Sequence, residues 1–168
     1  MTELIQANLQ LLMQGAELLT RLGSADYIKT SPVFLNSTIG GHFRHCLEHY
    51  QSLLRGLPDA HVDYDLRARD VQLETQPMQA LEQLNALCAN LASLDENNPT
   101  LYVRMDHGGS ADMDWQASCL GRELQFLLSH TTHHFALIAG LCHLHGQPLQ
   151  KDFGFAPSTL RHRAAMKA

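Results

Sequence analysis

Histidine occurs 11 times in the 168 residues, and two groups of these imidazoles are spaced so that side chains meet on one face of a helix. His130 and His134 are i, i+4 neighbours in an apolar run, and His42, His45 and His49 stand at i, i+3 and i+7. Imidazole is the commonest protein ligand for divalent metals and the usual acid–base group near neutral pH. Each helical residue turns about 100°, so with His130 at zero, His134 falls near 40°, Glu123 and Leu141 near 20°, and Leu127 near 60°. Leu137, Phe126 and Ile138 flank this stripe, whereas Arg122, Gln125, Ser129, Thr132 and His143 lie opposite, with His133 at their edge. This arithmetic sets His130 and His134 in the middle of the inward face. Imidazoles there are costly unless their nitrogens find partners. One cation shared by the pair is an economical partner; Ser, Thr or backbone groups are the ordinary alternative.

In the other group, Ile39, Phe43, Cys46, Tyr50 and Leu53 make the apolar face, and Arg44, Glu48, Gln51 and Arg55 point away. The wheel brings His42 and His49 nearer the apolar centre than His45. A stripe on that flank either faces a cleft between helices or forms a solvated edge. Among acidic groups, Glu123 lies on the His130 stripe and Glu48 sits one turn after His45; Glu123 is the better candidate for a base, or for the acceptor that fixes a histidine tautomer. Its alternative is an ion pair with Arg67 or Arg69. Tyr64, Asp65 and Asp70 either line a cleft mouth or belong to a solvated loop.

The elements that must position these residues are helical. Leucine occurs 29 times against 8 for Ile and Val together, a bias toward helix over strand. A first helix is predicted over residues 3–22, with Thr2 as cap and Gly23 as stop. A loop over 27–36 follows. The second helix runs from near Thr38 to near Arg55, capped by Ser37 or Thr38. Residues 59–70 are too polar for core and read as a long connection or a short polar helical turn. A third helix starts at Thr75-Gln76-Pro77 and ends before Asp95–Pro99. Leu101–Met105 is the only credible strand. His107-Gly108-Gly109-Ser110 reads as a turn, which would let Met113–Trp115 pair back as a hairpin. The fourth helix is capped by Ser118 and extends to about His145, and Ser158 caps a short helix over 159–165. The prediction is one all-α domain over 1–168: a four-helix bundle with a small hairpin or loop insertion before the last long helix and a short C-terminal helix.

Composition excludes some functions. The net charge of −5 argues against a general nucleic-acid binder. The longest apolar stretch, Phe135–Cys142, is too short to span a bilayer, and Glu3, Gln6 and Asn8 interrupt any leader. Cys46, Cys88, Cys119 and Cys142 lack CxxC spacing and read as thiols of a cytoplasmic protein.

Two stretches resemble the DinB/YfiT superfamily of metal-dependent enzymes. Thr38-Ile39-Gly40-Gly41-His42-Phe43-Arg44-His45 is similar to its second-helix motif, which ends in a metal histidine. Ser129-His130-Thr131-Thr132-His133-His134 is similar to its paired histidines. Similar domains open the iron-dependent sulfoxide synthases of ergothioneine-type biosynthesis, and Arg122-Glu123-Leu124 resembles a stretch ahead of their histidines. The resemblance implies metal ligands at His45, His130 and His134, with His133 outside the coordination sphere. It also implies a divalent ion (zinc, nickel or iron), a homodimer and a small-molecule substrate. A low-molecular-weight thiol is the substrate of some relatives.

Three neutral imidazoles would leave such an ion an open position, the mark of a catalytic site. Bound water or thiol there becomes a nucleophile near neutral pH. The expected function is therefore a metal-dependent enzyme of hydrolase or thiol S-transferase type. The alternatives are a non-catalytic metal-binding bundle (a sensor or stress protein) and a helical interaction protein with incidental histidines. A di-iron bundle is disfavoured by the lack of paired ExxH motifs. The reading assigns no role to His42, His49 or Asp152–Thr159.

Overall fold

The computed structural model describes residues 1–106, 108 and 114–166. Among them the helices are α1 (Thr2–Leu19), α2 (Ser24–Tyr27), α3 (Ile39–Gly56), α4 (Val71–Thr75), α5 (Pro77–Ala92), α6 (Leu120–Leu144) and α7 (Pro157–Ala165). A 3-10 turn covers Pro32–Phe34, and the strands are β1 (His61–Asp63), β2 (Thr100–Arg104) and β3 (Gln116–Cys119). The chain is an all-α bundle of four long helices, α1, α3, α5 and α6, with a strand pair inserted before α6 and a short helix at the end. The long helices pack in a ring in which α1 and α3 each touch both α5 and α6.

Leucine-rich faces meet along the axis: Leu12 and Leu18 from α1, Phe43 and Leu47 from α3, Leu84 and Leu87 from α5, Leu127 and Phe135 from α6. Gly15 sits where all four approach. A Cβ there would stand 2.7 Å from the Phe135 ring, 3.0 Å from Phe43 and 3.3 Å from Leu84, so a larger residue would force the helices apart. Helix α3 starts as predicted, with the Thr38 hydroxyl accepting from Gly41 N–H at 2.8 Å. Proline in the first turn opens α5, where its missing N–H costs nothing.

Several boundaries differ from the sequence reading. Helix α1 stops at Leu19, and the following residues turn into α2. Residues 59–70 hold a strand that was not expected: β1 pairs parallel with β2, Val62 opposite Val103. Three residues with one buried side chain are too short for a period-two signal, so only the partner strand reveals them. The return strand of the hairpin is Gln116–Cys119, antiparallel to β2 with Leu101 opposite Ser118. Ser118 thus belongs to a strand, and Cys119 precedes α6 without a side-chain cap. Trp115 lies just ahead of the strand, while His107 and the residues 109–113, including Met113, lie outside the described residues. Helix α7 begins at Pro157, one residue before the expected Ser158 cap. No helix among the described residues is long and apolar enough to cross a membrane. All four cysteines are free thiols.

Candidate metal centre

Helices α3 and α6 lie side by side, and their histidines face each other across the seam. The Nε2 atoms of His45 and His130 are 3.1 Å apart, and those of His130 and His134 are 3.2 Å apart. His45, His49 and His130 each offer one ring nitrogen, and these nitrogens lie within 4.8 Å of one another. They are close enough to coordinate a divalent ion. At zinc–nitrogen bonds of 2.0–2.1 Å, tetrahedral ligands sit about 3.3 Å apart, so the His45–His130 and His130–His134 spacings each match a pair of ligands on one cation.

The buried stripe of α6 runs through Leu120, Leu124, Leu127, Thr131, Phe135 and Ile138. Its centre is rotated roughly 80–100° from His130, at 100° per residue. The two histidines therefore stand on the flank of the inward face, half-buried, and not in its middle as the wheel suggested. Thr131, adjoining the pair, takes the deepest position. On α3, His49 is buried as expected and His42 and His45 are half-buried. Glu48 corrects the wheel: placed on the outer face by sequence, it is 1% exposed.

The hydrogen bonds around the rings leave the cluster short of acceptors. Arg67 Nη1 lies 2.8 Å from His45 Nδ1. A guanidinium only donates, so this Nδ1 accepts and the His45 proton sits on Nε2, aimed at His130. His134 Nε2 converges on the same His130 nitrogen, which has one lone pair for two neighbours. His130 Nδ1 is buried without a hydrogen-bond partner. His134 Nδ1 meets His42 Nδ1 at 3.0 Å, and His42 Nε2 meets Ser37 Oγ at 3.1 Å. His49 donates from Nδ1 to the His45 carbonyl at 2.7 Å, leaving its Nε2 free to accept. A cation among the rings would use several lone pairs at once, and the His134–His42–Ser37 chain could then hold the tautomer of His134.

Electrostatics favour the neutral, ligating form. Burial, then the neighbouring rings and Arg67, push His45 down to about 2. Burial, then the charges of His49, His133 and Arg67, bring His130 to about 4. Burial and the surrounding histidines bring His134 to about 3. His42 and His49 are lowered too, again chiefly by burial.

Glu123 is buried at the other end of the cluster. Its carboxylate accepts from Tyr64 Oη at 2.8 Å and from Ser118 Oγ at 2.5 Å. Neither Arg67 nor Arg69 pairs with it: the ion pairs among the described residues are Arg44–Glu74 and Arg104–Asp63. Tyr64, expected at a cleft mouth or in a solvated loop, is buried and stacks on His49 with ring centroids 5.5 Å apart. Glu48 accepts from Asp70 N–H at 2.8 Å, and its second oxygen is buried without a partner.

The sequence reading missed Arg67 as a neighbour of the histidines, having weighed it only as an ion-pair partner of Glu123. Arg67 and Tyr64 sit in a polar segment with no periodicity, and only the register of β1 on β2 brings that segment over the seam. His133, placed at the polar edge by sequence, is exposed, and its ring meets that of His134 in a T-shaped arrangement.

No family model matches the chain, and no solved structure matches it. Among curated proteins it is similar to FK506-binding protein 5 of Rhizopus delemar, with 31% identity over 108 residues, 60% of this chain and 27% of that protein. The chain thus spans about a quarter of the relative's length.

Proposed function

We propose that the chain is a metal-dependent enzyme of the DinB/YfiT type, holding one divalent ion on His45, His130 and His134 and acting on a small molecule at the remaining coordination position. The observation that supports this reading is that His45 Nε2 and His134 Nε2 both approach His130 Nε2, at 3.1 and 3.2 Å, where one lone pair meets two neighbours. The ion would be zinc, nickel or iron. It supplies Lewis acidity and lowers the pKa of a bound water or thiol. His42 and Ser37 fix the tautomer of His134, and Phe126 stacks on His130, excluding water from that side. Glu123 serves as a positioning residue: it anchors Tyr64, which in turn holds His49 against the cluster. Hydrolysis and thiol S-transfer are the two reaction types the site suits. A cytoplasmic homodimer is the assembly and location that accompany the reading.

A second reading has a specific observation behind it. A ring nitrogen of His49 also lies within 4.8 Å of ring nitrogens of His45 and His130. Four imidazoles would close the coordination sphere and make a non-catalytic metal-binding protein, a sensor or stress protein. Metal analysis after equilibration with zinc, nickel or ferrous iron separates the possibilities. Wild type is expected to retain about one equivalent, H49A to keep it and H134A to lose it. Loss in H49A with retention in H134A would replace His134 by His49 as third ligand. Loss in both would support the closed site, and a wild type that retains none would refute both readings.

A further inference from the structure

The small sheet positions one loop, residues 63–70, over the histidine seam, and that loop carries Arg67. Asp63 fastens it: its Oδ1 accepts from the Asp65 and Leu66 amides at 2.9 and 3.1 Å, and its Oδ2 takes Arg104 Nε at 2.8 Å. Arg55 on α3 holds the Leu66 carbonyl at 2.5 Å, and Glu48 holds the far end through the Asp70 amide. So many ties for a polar surface segment fix where Arg67 stands.

Arg67 itself is poorly matched. No carboxylate among the described residues forms an ion pair with it. Its Nε is buried with no hydrogen-bond partner, and its guanidinium contact is to His45 Nδ1. That contact conflicts with ligation. A neutral His45 that gives Nε2 to a cation carries its proton on Nδ1, where it would face the Arg67 donor. The guanidinium must then turn from His45, and it does so beside a divalent ion held by uncharged rings. Two positive centres in one half-buried cleft favour an anion between them.

We infer that Arg67 is a specificity-determining residue that binds the carboxylate of a small anionic ligand whose other donor atom takes the open position on the cation. This rests on the three-imidazole reading above. The planar two-donor fork of arginine matches a carboxylate, and a lysine would offer only a point charge. The competing arrangement is neutralisation of Arg67 by a carboxylate of the protein itself, such as Glu48 with its unpaired buried oxygen, which would leave no preference for anions.

The test uses the full chain loaded with Co2+ and compares 3-mercaptopropionate with 3-mercapto-1-propanol, followed by thiolate-to-cobalt charge-transfer absorption. The two probes share the metal-binding sulfur and differ in the carboxylate. Wild type is expected to favour the carboxylate probe by about tenfold, the scale of a charge-assisted hydrogen-bonded pair. R67M should lose that preference while Co2+ and the alcohol probe bind within about threefold of wild type, and R67K should fall between. An unchanged preference in R67M would overturn the assignment and place carboxylate recognition on other groups; no preference in wild type would overturn it and point to neutralisation of Arg67 inside the protein. Failure of wild type to take up Co2+, seen before any thiol is added, would sink the metal reading itself and the assignment with it.

Discussion

Two polar clusters are built into the same bundle, and they are satisfied differently. Between α1, α3 and α6, Asn8 is fully buried, yet its amide donates to the carbonyls of Leu4 at 2.9 Å and Leu124 at 3.2 Å. Its oxygen accepts from Tyr50 Oη at 2.7 Å. Between α3, α6 and the loop, imidazole nitrogens face one another, His130 Nδ1 has no partner, and the Arg67 guanidinium beside them has no ion-pair partner among the described residues. The first cluster completes itself and ties three helices together. The second has donors and lone pairs in the wrong ratio for a self-contained network, which is the pattern of a place that receives a guest. Stability should therefore respond to the polar atoms of the first cluster and to added ions at the second.

The largest expected effect is ion binding. At a free ion concentration a thousandfold above the dissociation constant, linkage adds about 4 kcal/mol to the folded state. For a chain of this length that raises the melting temperature by roughly 8–16 °C. H130A should abolish the shift in a differential scanning experiment with and without chelator. A shift that survives H130A would locate the ion elsewhere.

Acid should expose the second cluster next. His45, His130 and His134 titrate near 2, 4 and 3 in the fold against 6.5 for the free side chain. Below pH 6.5 the unfolded chain therefore binds more protons than the folded one, so stability is full above pH 6.5 and falls as pH drops toward 4. Urea midpoints at a series of pH values, with chelator present, measure this. A flat profile across that window would mean the rings are better solvated than their burial implies. Metal occupancy should fall over the same window, because protons compete for the ligand nitrogens.

Y50F probes the first cluster. Leaving the Asn8 oxygen buried and unpaired should cost about 1–3 kcal/mol, read from denaturant unfolding, with metal content unchanged. Loss of metal in Y50F would show that the clusters are coupled through α3. The smallest effect is expected from H133A. That ring is exposed, so metal retention and stability should stay near wild type. A variant that empties the site would contradict the orientation of α6.

Much of this was legible in the residues. The leucine bias and the breaks at Gly56 and Pro77 set the class and the long helices, because amphipathic periodicity is a local property repeated over many turns. The i, i+4 pair at His130 and His134 and the stripe on α3 marked the two faces that hold the imidazoles. The flank position of those histidines was not legible, since a wheel ranks residues by apolarity and cannot see that Thr131 packs more deeply than its neighbours. Nor was the burial of Glu48, which depends on a loop far along the chain covering it.

Sequence by itself determined a helical bundle and a surplus of imidazoles on two of its helices, since both follow from side-chain type at short spacing. Only the tertiary structure decided that α3 and α6 are neighbours, that a three-residue strand swings Arg67 above their seam, and that His49 and Tyr64 close it from one side. Those are long-range juxtapositions, fixed by which apolar faces meet and by a strand register, and no local pattern encodes them.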